Sequence, residues 1–189
     1  MTLVLASSSA QRRTILERLG VTFVVRPPGI AEIEQGDPPS VARDNALAKA
    51  TAIAVAPGDL VVGVDTIVAL DGELFGKPNS AADAVRTMRA LSGRTHTVLS
   101  GLALVAADAE PRVVTEATAV TFRELDDAMI EWYVATGEWR GRSGGYAIQQ
   151  AGGALVRRIE GDYTNVVGLP VAALLDLHPS LLSASGPAD

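Results

Sequence analysis

Apolar residues run unbroken from Leu3 to Ala6, and then the pattern changes. Ser7, Ser8 and Ser9 lead into a stretch whose Ile15, Leu16 and Leu19 share one helical face and stop at Gly20. The run fits a short buried strand over Thr2–Ala6, and the three-to-four spacing fits a helix closed by glycine. Phe23–Val25 fits a second strand, followed by a loop from Pro27 to Pro39. Ser40 is the expected cap of the next helix, in which Leu47, Ala50, Ile53 and Ala54 form an apolar face, Asn45 and Lys49 a polar one, and Pro57-Gly58 the end. Leu60–Leu70 is nearly all apolar and rich in β-branched residues, so it reads as a buried strand; Asp71-Gly72 after it is a two-residue hairpin signal. Ser80 with Asp83 resembles a capping box ahead of a stripe of Ala81, Ala84, Val85, Met88 and Leu91 that Gly93 ends. Strands over Thr97–Val105 and Val113–Phe122, a helix over Asp126–Thr136, a glycine-rich loop over Gly141–Gly145 and a strand over Ala154–Ile159 follow, and Pro170 suits the first position of a last helix. The small polar tail from Ser183 to Asp189 reads as frayed. Strands alternating with helices, with no repeat or long linker, predict an α/β fold in one domain over 1–189.

Within that pattern Asp65 is the informative misfit. It interrupts an apolar strand whose other non-apolar members are only Gly63 and Thr66. A buried carboxylate is costly unless it is paired, hydrogen-bonded or bound to a cation, so metal binding or general-base catalysis stands against a purely structural ion pair. If Asp71-Gly72 is a two-residue turn, Leu70 pairs with Glu73, and the same register carried on sets Thr66 opposite Lys77. That would bring a carboxylate and an ammonium to one end of the sheet, although Pro78 argues that regular pairing stops there. Ser7 to Arg12 occupies a strand-to-helix junction, where free amides and the helix dipole favour an anion and an arginine can close on a phosphate. Serine caps and solvated arginines are equally common, so this junction alone leaves the matter open. Glu32 in its loop and Lys49 on its helix read, taken singly, as surface charges.

Composition narrows the chemistry. Aromatics make up 4% of a chain that is 48% hydrophobic, so the core is aliphatic. A formal charge of −6 argues against a duplex-binding surface, and the absence of cysteine removes disulfides, thiolate metal sites and cysteine nucleophiles. No segment has the length of a membrane span or the form of a signal peptide, which makes the cytoplasm the expected compartment. With His178 near the tail, only His96 is available for a serine triad, and neither a nucleophile elbow nor a Gly-Lys-Ser/Thr phosphate loop occurs. Acidic residues beside basic ones remain, the pattern of Mg²⁺-assisted phosphate chemistry.

The segments LASSSAQRRTILERLG from Leu5, the acidic loop with Glu32, ALAKA from Ala46, VVGVDTIV from Val61, GKP from Gly76, LSGRTH from Leu91, GGYAIQ from Gly144 and NVVGLP from Asn165 together resemble the Maf family of nucleoside triphosphate pyrophosphatases. The resemblance implies an elongated, two-lobed α/β fold with a mixed, curved sheet, similar also to inosine triphosphate pyrophosphatases. It implies cleavage between the α and β phosphates, giving a nucleoside monophosphate and pyrophosphate, with Mg²⁺ or Mn²⁺ as cofactor. By resemblance Asp65 is the proton acceptor, Glu32 and Asp65 the metal carboxylates, and Ser7, Arg12, Lys49 and Lys77 the substrate-binding residues. Gln11, Thr66 and Gln149 fall at positions that select the base. Thr66 and Gln149 match the members that resemble dTTP/UTP pyrophosphatases rather than those acting on 7-methylguanosine triphosphate, whereas Gln11 departs from the arginine usual in the pyrimidine group. Ala10, Arg142 and Gln150 are further departures, from proline, lysine and glycine. The alternatives are a broader or purine-directed pyrophosphatase and, in another class, a nucleotide-binding regulator of septum formation. No nucleic-acid or membrane partner is expected, and a homodimer is left open.

Overall fold

The computed structural model describes residues 2–182 and is built on one seven-stranded mixed sheet. Its strands are β1 (Thr2–Ala6), β2 (Phe23–Val25), β3 (Asp59–Leu70), β4 (Glu73–Phe75), β5 (Thr95–Ala106), β6 (Ala109–Phe122) and β7 (Val156–Glu160). They lie in the order β2-β1-β3-β5-β6-β7, with β4 also on β3. The pairs of β1 with β2 and β3 are parallel and the others antiparallel. The helices are α1 (Ala10–Arg18), α2 (Pro38–Thr51), α3 (Ala81–Leu91), α4 (Asp127–Thr136), α5 (Tyr163–Val167) and α6 (Val171–Leu177). The frayed-tail expectation for 183–189 lies outside the described residues.

Several boundaries differ from the sequence reading. Helix α2 starts before Ser40, because Pro38 and Pro39 suit the first helical turn and the Asp37 carboxylate caps it, accepting from Ser40 N at 3.2 Å. Strand β6 begins at Ala109 rather than Val113, running through Pro111. The missing N–H is tolerated there because this part of β6 pairs only with β5 and the register with β5 shifts nearby. A 3₁₀ turn, Ala151–Leu155, takes the first residues assigned to the last strand, and Pro170 precedes the last helix instead of opening it. Helix α5 has no signature in the sequence; at five residues it is too short to show a periodicity.

Strand β3 organises the molecule. Its even-numbered residues face one side of the sheet. There, Val62 and Val64 pack with Leu3, Leu5, Leu16, Leu102 and Leu174, while Val68 and Leu70 pack with Met88, Leu91, Phe122 and Tyr133 in a separate cluster. Thr66 stands between these two cores, opposite Ser100 of β5. The odd-numbered side carries α2, whose Ala46 and Ala50 pack with Val61 and Ala103. Two glycines let this helix lie directly on the sheet. A Cβ on Gly63 would come within 2.7 Å of Ala50 N and 2.8 Å of Ala50 Cβ, and one on Gly101 would sit 2.5 Å from the Ala42 carbonyl carbon.

Candidate active site

The same strand leaves an opening in the sheet. Along one edge of β3, β1 pairs as far as Gly63 and β4 begins at Val68, so residues 64–67 lack a neighbour there, while β5 covers the other edge throughout. Leu70 does pair with Glu73, but the ladder stops at Phe75 and never sets Thr66 opposite Lys77. Pro78 and the tight approach of the glycine loop explain the stop: Gly144 N donates to Gly76 O at 3.1 Å, and Gly144 and Gly145 take positive φ where an added Cβ would fall 2.7 Å from Val68 Cγ2 and 2.9 Å from Pro78 Cγ. A cleft of about 570 Å³ occupies the opening, and Ser7, Gln11, Arg12, Glu32, Lys49, Asp65, Thr66, Lys77 and Gln149 all line it.

Asp65 and Thr66, adjacent in sequence, point to opposite sides of the sheet and serve the cleft from both. Asp65 lies under α2, with Oδ1 2.5 Å from Lys49 Nζ and Oδ2 accepting from Asn45 Nδ2 at 3.0 Å. Asn45 and Lys49 are one helical turn apart and both buried, so the polar face of α2 points into the protein rather than to solvent. Only 8% of the Lys49 side chain and 6% of the Asp65 side chain are exposed, which makes this a desolvated ion pair whose breaking would leave a buried charge. Lys49 Nζ also reaches Glu32 Oε1 at 2.6 Å, and Lys77 Nζ reaches Glu32 Oε2 at 3.1 Å. Partial burial pushes the Glu32 carboxyl up, but the hydrogen bonds and charges of the two lysines outweigh that and hold it down at about 2. Asn45 anchors the Glu32 loop too, accepting from Ile33 N at 2.7 Å and donating to Ile33 O at 3.0 Å.

On the Thr66 side, Ser9 caps α1 and Arg12 turns inward from its first turn. Arg12 is buried and donates from Nε to Gly168 O at 2.7 Å, from Nη1 to Ser7 Oγ at 2.9 Å and from Nη2 to Thr66 Oγ1 at 3.2 Å. Burial draws the guanidinium below its ordinary value, and the charges of Asp65 and Glu32 act against that. At the rim, the Gln11 amide satisfies its neighbours when its oxygen accepts from Arg142 Nη1 at 2.9 Å and its nitrogen donates to Ser9 Oγ at 3.1 Å. Arg142 Nη2 also donates to Gln150 Oε1 at 3.0 Å. Three positions that depart from the family pattern therefore touch one another. Gln149 is exposed at the cleft mouth.

A family model described as Maf-like protein matches residues 2–180. The chain belongs to the Maf family. Among its relatives, the dTTP/UTP pyrophosphatase of Moorella thermoacetica is 51% identical over 179 residues, covering 93% of this chain and 92% of the relative. The dTTP/UTP pyrophosphatase of Pyrococcus furiosus is 44% identical over 180 residues, covering 93% of each. The Maf chain is similar in fold to a crystal structure of the nucleoside-triphosphatase / dITP/XTP pyrophosphatase of Mycobacterium abscessus, with a TM-score of 0.52, 19% identity and full coverage of both chains.

Three contributors to the site are not legible residue by residue. The sequence marks Asn45 only as a neighbour of Lys49 on a polar face, and its one signal is that spacing beside the misfit Asp65. Ser100 hides in an apolar strand, and the Gly168 carbonyl leaves no mark in a sequence. No helix among the described residues is long and apolar enough to cross a membrane.

Proposed function

We propose that this Maf protein hydrolyses nucleoside triphosphates, dTTP and UTP foremost, between the α and β phosphates, releasing a nucleoside monophosphate and pyrophosphate. The observation that carries the reading is the buried Asp65–Lys49 pair, set in a cleft beside Arg12, Lys77 and Glu32. A carboxylate ringed by cations can activate water beside a polyanion. Ser7, Arg12, Lys49 and Lys77 bind the phosphates. As these draw the Lys49 ammonium toward themselves, Asp65 Oδ1 is released to accept the proton of the attacking water. The α–β anhydride bond then breaks, and Arg12, Lys49 and Lys77 neutralise the charge gathering on the departing pyrophosphate. Family membership, and the names of relatives alike over nearly their whole length, support the same reaction.

The donor set also fits a divalent cation. Glu32 and Asp65 already hold one positive group between them, the Lys49 ammonium. No group of three or more His, Cys, Asp and Glu gathers among the described residues. Two hard carboxylates suit Mg²⁺ or Mn²⁺ completed by phosphate oxygens and water, and Glu32 and Asp65 are the residues that would hold it. Bound there, the ion neutralises phosphate charge and polarises the phosphoryl group.

Gln11, Thr66 and Gln149 are assigned to the base. Gln11 lacks the charged fork of an arginine; the Arg142 guanidinium lies against it and keeps a cation at that rim. Incubation with dTTP, UTP, CTP and GTP in Mg²⁺ or Mn²⁺, following pyrophosphate separately from phosphate, tests the reading. Monophosphate with pyrophosphate is expected. Diphosphate with phosphate as the main products would reject it.

A further inference from the structure

Behind Thr66, out of reach of the cleft, lies a buried hydroxyl with no role in the scheme above. Ser100 is fully buried opposite Thr66, with its Oγ 2.8 Å from Thr66 Oγ1, its one side-chain hydrogen bond among the described residues. A hydroxyl has one hydrogen to donate and two lone pairs to accept with, whereas a guanidinium only donates. Thr66 Oγ1 therefore accepts from Arg12 Nη2. If Thr66 gave its hydrogen to Ser100, the Ser100 hydrogen would be buried with no acceptor among the described residues, an expensive arrangement. The reverse arrangement leaves no fully buried hydroxyl hydrogen unpaired. Ser100 donates to the second lone pair of Thr66, and the Thr66 hydrogen is left as its only free function. Among the described residues that hydrogen has only Gly168 O, at a long 3.4 Å, and this carbonyl already accepts from Arg12 Nε at 2.7 Å.

We infer that Ser100 is a specificity-positioning residue: by filling the last lone pair of Thr66 it fixes that hydroxyl as a pure donor toward the cleft. A pure donor selects bases with a carbonyl at pyrimidine position 4, uracil and thymine, over cytosine, which carries an amino donor there. The inference rests on the reading of Thr66 as a base-facing residue. With Ser100 removed, Thr66 regains a lone pair and can turn its hydrogen to Gly168 while accepting from the cytosine amino group. Discrimination then weakens although no residue touching the base has changed.

The test compares kcat/KM for UTP and CTP in the full chain and in Ser100→Ala, Ser100→Thr and Thr66→Val. The UTP-to-CTP ratio should fall about tenfold in Ser100→Ala, the scale of one hydrogen bond, and stay at the native value in Ser100→Thr, which keeps the hydroxyl. A merely structural role would lower both substrates in proportion and leave the ratio alone. An unchanged ratio in Ser100→Ala beside a collapsed one in Thr66→Val overturns the role of Ser100 only. An unchanged ratio in Thr66→Val removes Thr66 from base reading and the inference with it. A Ser100→Thr ratio as low as that of Ser100→Ala also overturns it. If Ser100→Ala does not fold, Ser100→Cys, similar in volume with a weak S–H donor, should show the same fall, and a native ratio there overturns the proposal.

Discussion

Gly63→Ala tests whether the closeness of α2 to the sheet is what assembles the site. A methyl group at residue 63 would meet Ala50 Cβ at 2.8 Å and Ala50 N at 2.7 Å, besides the Ala46 carbonyl. Carbon atoms rest about 3.5–4.0 Å apart, so α2 must lift by roughly 1 Å, and backbone, unlike a flexible side chain, cannot swing aside. Overpacking of this kind costs about 1–3 kcal/mol. For a chain of this size that lowers Tm by roughly 2–12 °C. The sign is diagnostic, because glycine to alanine at an unstrained position otherwise stabilises by about 0.4–1 kcal/mol through the unfolded chain. The helix carries Asn45 and Lys49, whose contacts to Asp65 are 3.0 and 2.5 Å. A displacement of about 1 Å should lower pyrophosphate release about a hundredfold. Thermal melts and initial rates with dTTP at saturating Mg²⁺ measure both effects. A Gly63→Ala protein with native or raised Tm and a near-native rate would refute the reasoning.

Three further outcomes are expected. Asp65→Asn should lower turnover at least about a hundredfold with the fold retained, the scale for losing a general base or metal-positioning carboxylate; a folded variant with a near-native rate removes Asp65 from the mechanism. Glu32→Gln should raise the Mg²⁺ concentration needed for half-maximal activity by about tenfold or more, and an unchanged metal titration would take Glu32 out of the metal set. Stability should fall as pH drops from about 6.5 toward 4. Burial depresses His96 from 6.5 to about 4, so the unfolded chain takes up a proton that the folded protein refuses in that window, for a loss of up to about 3 kcal/mol. His96→Gln, which can still bond the Tyr146 hydroxyl held at 2.9 Å from His96 Nε2, should flatten denaturant midpoints across that range, leaving a residual slope from His178, likewise lowered by burial and Arg112. An unaltered slope would contradict the burial argument. Glu32, depressed from 4.5 to about 2, contributes stability that begins to be lost as pH falls through about 4.5 and is gone below about 2, so it overlaps only the acid end of the His96 window.

Most of the elements, and the residue whose chemistry matters most, are legible in the sequence. Apolar periodicity and glycine punctuation marked β1, β3, α3 and α4 to within a residue or two, because each depends on contacts near in sequence. Asp65 stood out for the same reason, as a charge in a strand that is otherwise apolar. Partnership was a matter for the tertiary structure. Lys49 reads as a surface cation and Arg12 stays open between solvent and an anion, since sequence spacing gives the faces of a helix but not which face meets the sheet. Gly63 and Gly101 settle that by admitting α2 against β3 and β5, turning its polar face inward over Asp65. Ser100, Asn45 and the Gly168 carbonyl gained their roles only through long-range pairing. The cleft itself comes from β1 ending and β4 starting on the same edge of β3 with residues 64–67 left uncovered between them. A gap of that kind is created by where neighbouring strands stop, and so depends on the register of three segments at once.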